Sequence, residues 1–135
     1  MKKALSLISL ILLISSCNGS NNPGNEITSK LAVTDVIHER SSTAPTTYRF
    51  TINVTPTCSK PITVNYKTVD ATAVAGKDYT ALTGKLTIPA NTLSAYVDVT
   101  VLKDSLRQED QTFTLELSAP TNASISGTGK ATGTI

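Results

Sequence analysis

Residues 48–54 read Tyr48-Arg49-Phe50-Thr51-Ile52-Asn53-Val54. Apolar side chains fall at every second position, with Arg49, Thr51 and Asn53 between them. An extended chain sends alternate side chains to opposite faces, so this stretch reads as a strand with one dry face and one wet face. The same period returns further along the chain. Val97, Val99 and Val101 alternate with Asp98, Thr100 and Leu102, and Phe113, Leu115 and Leu117 alternate with Thr114 and Glu116. Weaker runs occupy 31–37, 62–68, 85–88 and 123–135. Clusters of turn-forming residues separate them at 41–46, 56–61, 75–78, 89–92 and 103–110.

No segment of useful length carries the i, i+3, i+4, i+7 spacing of an amphipathic helix. Composition agrees. From residue 17 onward the chain holds 22 Thr, 9 Val and 7 Ile, residues that lose side-chain freedom in a helix and pack well on a pleated surface. Seven short strands with regular turn signals predict an all-β sandwich or barrel. Its expected core is Tyr48, Phe50, Ile52, Val64, Tyr66, Leu86, Ile88, Val97, Val99, Val101, Phe113, Leu115 and Leu117. No internal repeat is visible, which argues against a solenoid.

The N-terminus reads differently. Lys2 and Lys3 precede an apolar run from Ala4 to Ile14, broken only by Ser6 and Ser9. This has the charge pattern and length of an export signal and is too short to span a bilayer stably. Residues 1–16 are therefore assigned to a cleaved signal peptide, 17–26 to a tether and 27–135 to the folded domain. Removing the signal takes away two of the twelve basic residues, leaving ten against ten acidic ones, a net charge of zero. A nucleic-acid binder working by bulk charge needs a basic surplus, so that class is excluded.

Ile14-Ser15-Ser16-Cys17, at the end of the apolar run, resembles the lipobox of bacterial lipoproteins. The resemblance implies that the Cys17 thiol carries a diacylglyceryl group and becomes the mature N-terminus. The alternative is an ordinary secretory signal beside an incidental cysteine. Several acyl chains anchor firmly, each buried CH₂ contributing roughly 0.8 kcal/mol. Residues 18–25 are mostly Asn, Gly, Ser and Pro, a composition unable to order itself, with a mean reach of roughly 15 Å. The expected location is the cell membrane or outer membrane, facing periplasm or exterior. Lipidation would leave Cys58 as a lone thiol in a solvent-facing turn, whereas a Cys17–Cys58 bridge would exclude lipidation.

From Val64 onward the order of motifs resembles the Calx-beta domain, the immunoglobulin-like sandwich named after sodium–calcium exchangers. Val64-Asn65-Tyr66-Lys67-Thr68-Val69-Asp70-Ala71-Thr72-Ala73 is similar to its V-x-Y-x-T-x-D-x-T-A strand and turn. Ala75-Gly76-Lys77-Asp78-Tyr79 is similar to A-G-x-D-Y, and Gly84-Lys85-Leu86-Thr87-Ile88 to G-x-L-x-F. Glu109-Asp110-Gln111-Thr112-Phe113 and Leu115-Glu116-Leu117-Ser118 follow in order. The resemblance implies a seven-stranded antiparallel immunoglobulin-like β-sandwich. The residues add reasons of their own. Gly76 and Gly84 would permit backbone angles barred to other side chains. Asp70 and Asp78 suit turn capping, and Tyr79 suits closing one end of the core.

The resemblance also implies calcium as the one cofactor to consider, held by loops at one end. Its ligands would map onto Glu39, Asp78, Asp104, the Leu106 carbonyl and Gln108. Gln108 stands where a carboxylate usually ligates, Lys103 and Ser105 flank Asp104 where aspartates are common, and Ile135 falls where an acidic run would begin. A terminal carboxylate at Ile135 is one compensation. The competing reading has the same acids capping loops and pairing with Lys77, Lys103 or Arg107. Such a depleted set would bind in the weak, roughly 10⁻⁴–10⁻³ M range.

Catalysis needs a positioned nucleophile, base or metal. His38 is the only histidine and stands far in the strand map from Cys58, so a dyad between them is not expected. Gly127-Thr128-Gly129 lacks the helix of a phosphate loop and reads as a turn or bulge. With no Trp and 4% aromatics, an aromatic platform for sugars or single-stranded nucleic acid is not expected. The sequence thus predicts a lipid-anchored, non-enzymatic binding or adhesion module meeting a protein or cell-surface partner. The alternative is a calcium-binding regulatory or structural module with a degenerate site.

Overall fold

A computed structural model describes residues 28–106 and 109–135. The proposed signal peptide, Cys17, the tether and Gln108 lie outside the described residues. Within them there is no helix, and nine strands form two sheets. They are β1 (Lys30–Val33), β2 (Val36–Ile37), β3 (Thr46–Thr55), β4 (Ile62–Asp70), β5 (Thr83–Ile88), β6 (Ser94–Val101), β7 (Thr112–Thr121), β8 (Ser124–Ile125) and β9 (Lys130–Thr134). The four-stranded sheet runs β6-β3-β1-β8 and the five-stranded sheet β2-β9-β7-β4-β5.

All seven expected runs are strands, and the first and last each divide in two. Between β1 and β2 the chain leaves one sheet for the other. Asp35 marks the switch, its carboxylate accepting the Thr132 N–H at 2.7 Å. At the other terminus Gly127 and Gly129, both at φ +67°, turn the chain between β8 and β9. These halves introduce two short parallel pairings, β1 with β8 and β2 with β9, into an otherwise antiparallel pattern.

The alternation at 48–54 does what its period dictates. Tyr48, Phe50, Ile52 and Val54 face the other sheet and are buried, while Arg49 lies outside with Asp98. Eleven of the thirteen expected core residues are buried; Tyr66 and Leu86 are partly covered at the margin. Ile62 at the start of β4 joins the core, as do Leu31, Val36, Ala73, Tyr79 and Ala131 from shorter strands and connections. Phe113 sits at its centre, 4.3 Å from the stacked Tyr79 ring and 5.9 Å edge-on from Phe50.

Two expectations change. Gly84 does not adopt an unusual backbone angle; a Cβ there would stand 2.7 Å from the Tyr66 hydroxyl, so the need is for space. Cys58 is neither solvent-facing nor a lone thiol. It is 1% exposed and disulfide-bonded. The 56–61 connection folds over the end of the core, with the Asn91 N–H donating to the Cys58 carbonyl and the Asn122 amide to Pro61.

Candidate functional site

Strand direction sorts the loops to two ends. Connections 38–45, 71–82 and 102–111 meet at one end, and 56–61 and 89–93 at the other. The first end holds Glu39, Asp78, Asp104 and Leu106, four of the five expected calcium ligands. Its 71–82 connection is shaped by carboxylates. Asp70 accepts the Ala75 N–H at 2.9 Å and the Tyr79 hydroxyl, and Asp78 accepts the Val74 N–H at 2.9 Å. Gly76, at φ +82°, makes the reversal between them. Short acids bonded to nearby backbone N–H groups are the expected chemistry of such turns.

Burial pushes the Tyr79 phenol up to about 12, with the Asp70 carboxylate adding to the shift. For Asp78, burial alone would raise the carboxyl. The Val74 N–H, the Arg40 guanidinium and Lys77 outweigh it and hold the group below its ordinary value.

Arg40 is the residue that organises this end, and sequence reading did not single it out. It follows β2 by three positions, on the segment held by the His38 N–H to the Thr134 carbonyl and by the Tyr48 hydroxyl to the His38 carbonyl. Its guanidinium reaches across two other connections. One nitrogen donates to Asp78 Oδ1 at 2.8 Å and to the Asp78 carbonyl at 3.0 Å, the other to Asp104 Oδ2 at 3.1 Å. The side chain is 11% exposed, Asp78 is 1% and Asp104 is 22%. Arg40 Nε is buried and has no hydrogen-bond partner among the described residues.

The remaining carboxylate oxygens are also engaged. Asp104 Oδ1 accepts the Leu106 N–H at 2.9 Å and Asp78 Oδ2 that of Val74. The backbone joins the same loops, with Asp104 N–H donating to Ser41 and Leu102 N–H to Asp78.

Outside this clamp lies a cleft of about 430 Å³ whose lining includes Glu39, Asp104, Leu106, Glu109, Asp110 and Ile135. Glu39 and Leu106 are exposed. Glu39, Asp104 and Leu106 are thus neighbours as expected, and Asp78 lies beneath Arg40. No group of three or more His, Cys, Asp or Glu side chains among the described residues is arranged to hold a metal. Of the expected partners, Lys77 and Lys103 make no ion pair with these acids among the described residues and Arg107 lies outside them; Arg40 pairs with both Asp78 and Asp104. An arginine beside a glutamate after a short strand carries no motif, which is why the sequence did not reveal it.

His38 and Cys58 do not meet. His38 packs edge-on against Tyr48 at 5.3 Å near the start of β3, and Cys58 lies beyond its end. Seven residues of strand alone separate Tyr48 from Thr55 by roughly 23 Å.

A family model described as the Calx-beta domain matches residues 25–135. No curated protein matches the sequence. Among solved structures, the apo-form Calx CBD1 domain aligns with a TM-score of 0.65 at 21% identity, over 80% of this chain and 96% of that one. The Calx CBD2 domain aligns with a TM-score of 0.66 at 17% identity, over 78% and 85%. The calcium binding domain CBD12 of CALX1.1 aligns with a TM-score of 0.66 at 22% identity, over 81% of this chain, which spans 44% of that longer structure.

Proposed function

Because the chain belongs to the Calx-beta domain family, we propose that it works as a non-enzymatic binding module of the cell envelope, anchored through lipid on Cys17. The observation that carries the binding role is how its reactive side chains are used. His38 packs on Tyr48, Cys58 is buried in the core, and Asp78 and Asp104 hold Arg40. Each is engaged in holding the sandwich together, which favours a surface that recognises over a centre that reacts. Edge strands β5 and β6 offer one such surface. β5 is paired along one side, and β6 is bridged on its outer side only at its C-terminal end, where the Thr80 N–H donates to the Thr100 carbonyl; 89–93 carries the chain directly from one strand to the other. Unpaired backbone groups of this kind accept an added strand from a partner.

The anchor rests on the lipobox-like run at Ile14–Cys17 and the polar tether after it. The disulfide at Cys58 pulls the other way, since an intrachain bridge in a chain with two cysteines consumes the Cys17 thiol. Membrane fractionation with intact mass and non-reducing peptide mapping decides between them. The expected result is a diacylglyceryl mass on Cys17 and release from membranes by Cys17→Ser. An unmodified Cys17 linked to Cys58 in a soluble product would overturn the anchor and leave the binding module untouched.

Calcium regulation is the competing reading, favoured by the likeness to the calcium binding domain CBD12 and by the acids around the cleft. The residues fit it poorly, because the two central carboxylates are already neutralised by Arg40 and by backbone donors.

A further inference from the structure

We infer that Arg40 is the resident cation of this domain. Its guanidinium stands between Asp78 and Asp104, where the family resemblance would put a metal ion, and joins the three loops without one. This goes beyond the binding role proposed above and is independent of the lipid anchor.

The loops begin far apart in the chain. Arg40 lies 38 residues from Asp78 and 64 from Asp104. Backbone bonds also join the loops among the described residues, the Asp104 N–H to the Ser41 carbonyl and the Leu102 N–H to the Asp78 carbonyl, but none of these supplies a charge. Two carboxylates facing one another would repel, and Asp78 is almost wholly removed from water. Leaving such a charge unmatched is strongly unfavourable, so this end requires a positive charge at its centre. A free ion could supply it only when present. A planar guanidinium supplies it permanently, with parallel donors suited to two carboxylates and a carbonyl.

The same geometry argues against both cations together. A divalent ion placed among Asp78, Asp104 and the cleft acids would sit within a few ångströms of the guanidinium. Every carboxylate oxygen it would need on Asp78 and Asp104 already accepts a hydrogen bond. Entry therefore means expelling Arg40, which stays covalently attached at high local concentration. The acids left over, Glu39, Glu109 and Asp110, line the cleft but form no coordinated cage among the described residues.

The test compares the full chain with Arg40→Gln, in chelator and in millimolar calcium, by thermal unfolding and calorimetric titration. The wild type is expected to melt at the same temperature in both solutions and to give no binding heat. Arg40→Gln is expected to melt lower in chelator and to recover part of the loss in calcium. Its dissociation constant should fall in the weak loop-site range, roughly tenfold or more tighter than any wild-type binding.

A wild-type melting temperature raised by calcium overturns the inference, as does an Arg40→Gln protein as stable as the wild type in chelator. Calcium that restores nothing to Arg40→Gln overturns the equivalence of the two cations. If Arg40→Gln fails to fold, wild-type amide spectra decide. Superimposable spectra in chelator and calcium support the inference, and calcium-induced shifts at Asp78, Asp104 and Leu106 overturn it.

Discussion

Gly133 shows how closely single residues are fitted here. A Cβ at this position would lie 2.6 Å from Phe113 Cζ. The Phe113 ring is fully buried among Tyr48, Phe50 and Tyr79 and has nowhere to retreat. Gly133→Ala should therefore lower stability by about 1–3 kcal/mol through overpacking, read as a lower urea midpoint at unchanged slope. Asp78 and Tyr79 set opposite pH limits. The folded Asp78 carboxyl is held low, so its contribution is present above the unfolded value and is lost as pH falls through the folded one. The stability gap between wild type and Asp78→Asn should accordingly shrink on acidification. Tyr79 is raised to about 12, so its contribution is full below the unfolded value near 10 and drains as pH climbs towards 12. Burial raises the Tyr48 phenol as well, so absorbance titration should show a late phenolate phase that Tyr79→Phe reduces rather than abolishes.

Within elements, the alternation along β3, β6 and β7 was legible because a strand's faces follow directly from odd and even positions. The division of the first run was not. Residues 31–37 read as one strand, yet Leu31 pairs in one sheet and Val36 in the other. The cause is a partner 97 residues away, the Thr132 N–H that the Asp35 carboxylate accepts. Asp35→Ala should cost about 1 kcal/mol, the ordinary net worth of one hydrogen bond. Amide hydrogen exchange should speed up at Thr132 and leave the β3–β6 ladder unchanged. Equal acceleration in both places would mean that the switch is not a local feature.

Across the molecule, one aromatic cluster ties the two sheets into a single core. Phe113 from the five-stranded sheet touches Tyr48 and Phe50 from the other, and Tyr79 stacks on it from the loop end. Phe113→Ala should cost about 3–5 kcal/mol, a large share of the roughly 5–15 kcal/mol typical of a domain. Calorimetry should show one transition moved to lower temperature rather than two. The family was readable at this scale, since several motifs follow one another in order from Val64 to Ser118. The set of acids at the loop end was readable too. That these acids cap nearby turns was readable as well, but the cation between Asp78 and Asp104 was not, because Arg40 belongs to no motif.

Taken by itself, the order of residues determined which side chains face inward along each long strand, where the turns fall, and which family the chain joins. Those properties depend on neighbours two to ten positions apart. The tertiary structure alone decided that Cys58 is buried and bonded, that the terminal runs divide between sheets, and that Arg40 lies between Asp78 and Asp104. Each of these joins segments far apart in the chain. Such meetings follow from how the sheets stack, which local periodicity does not encode.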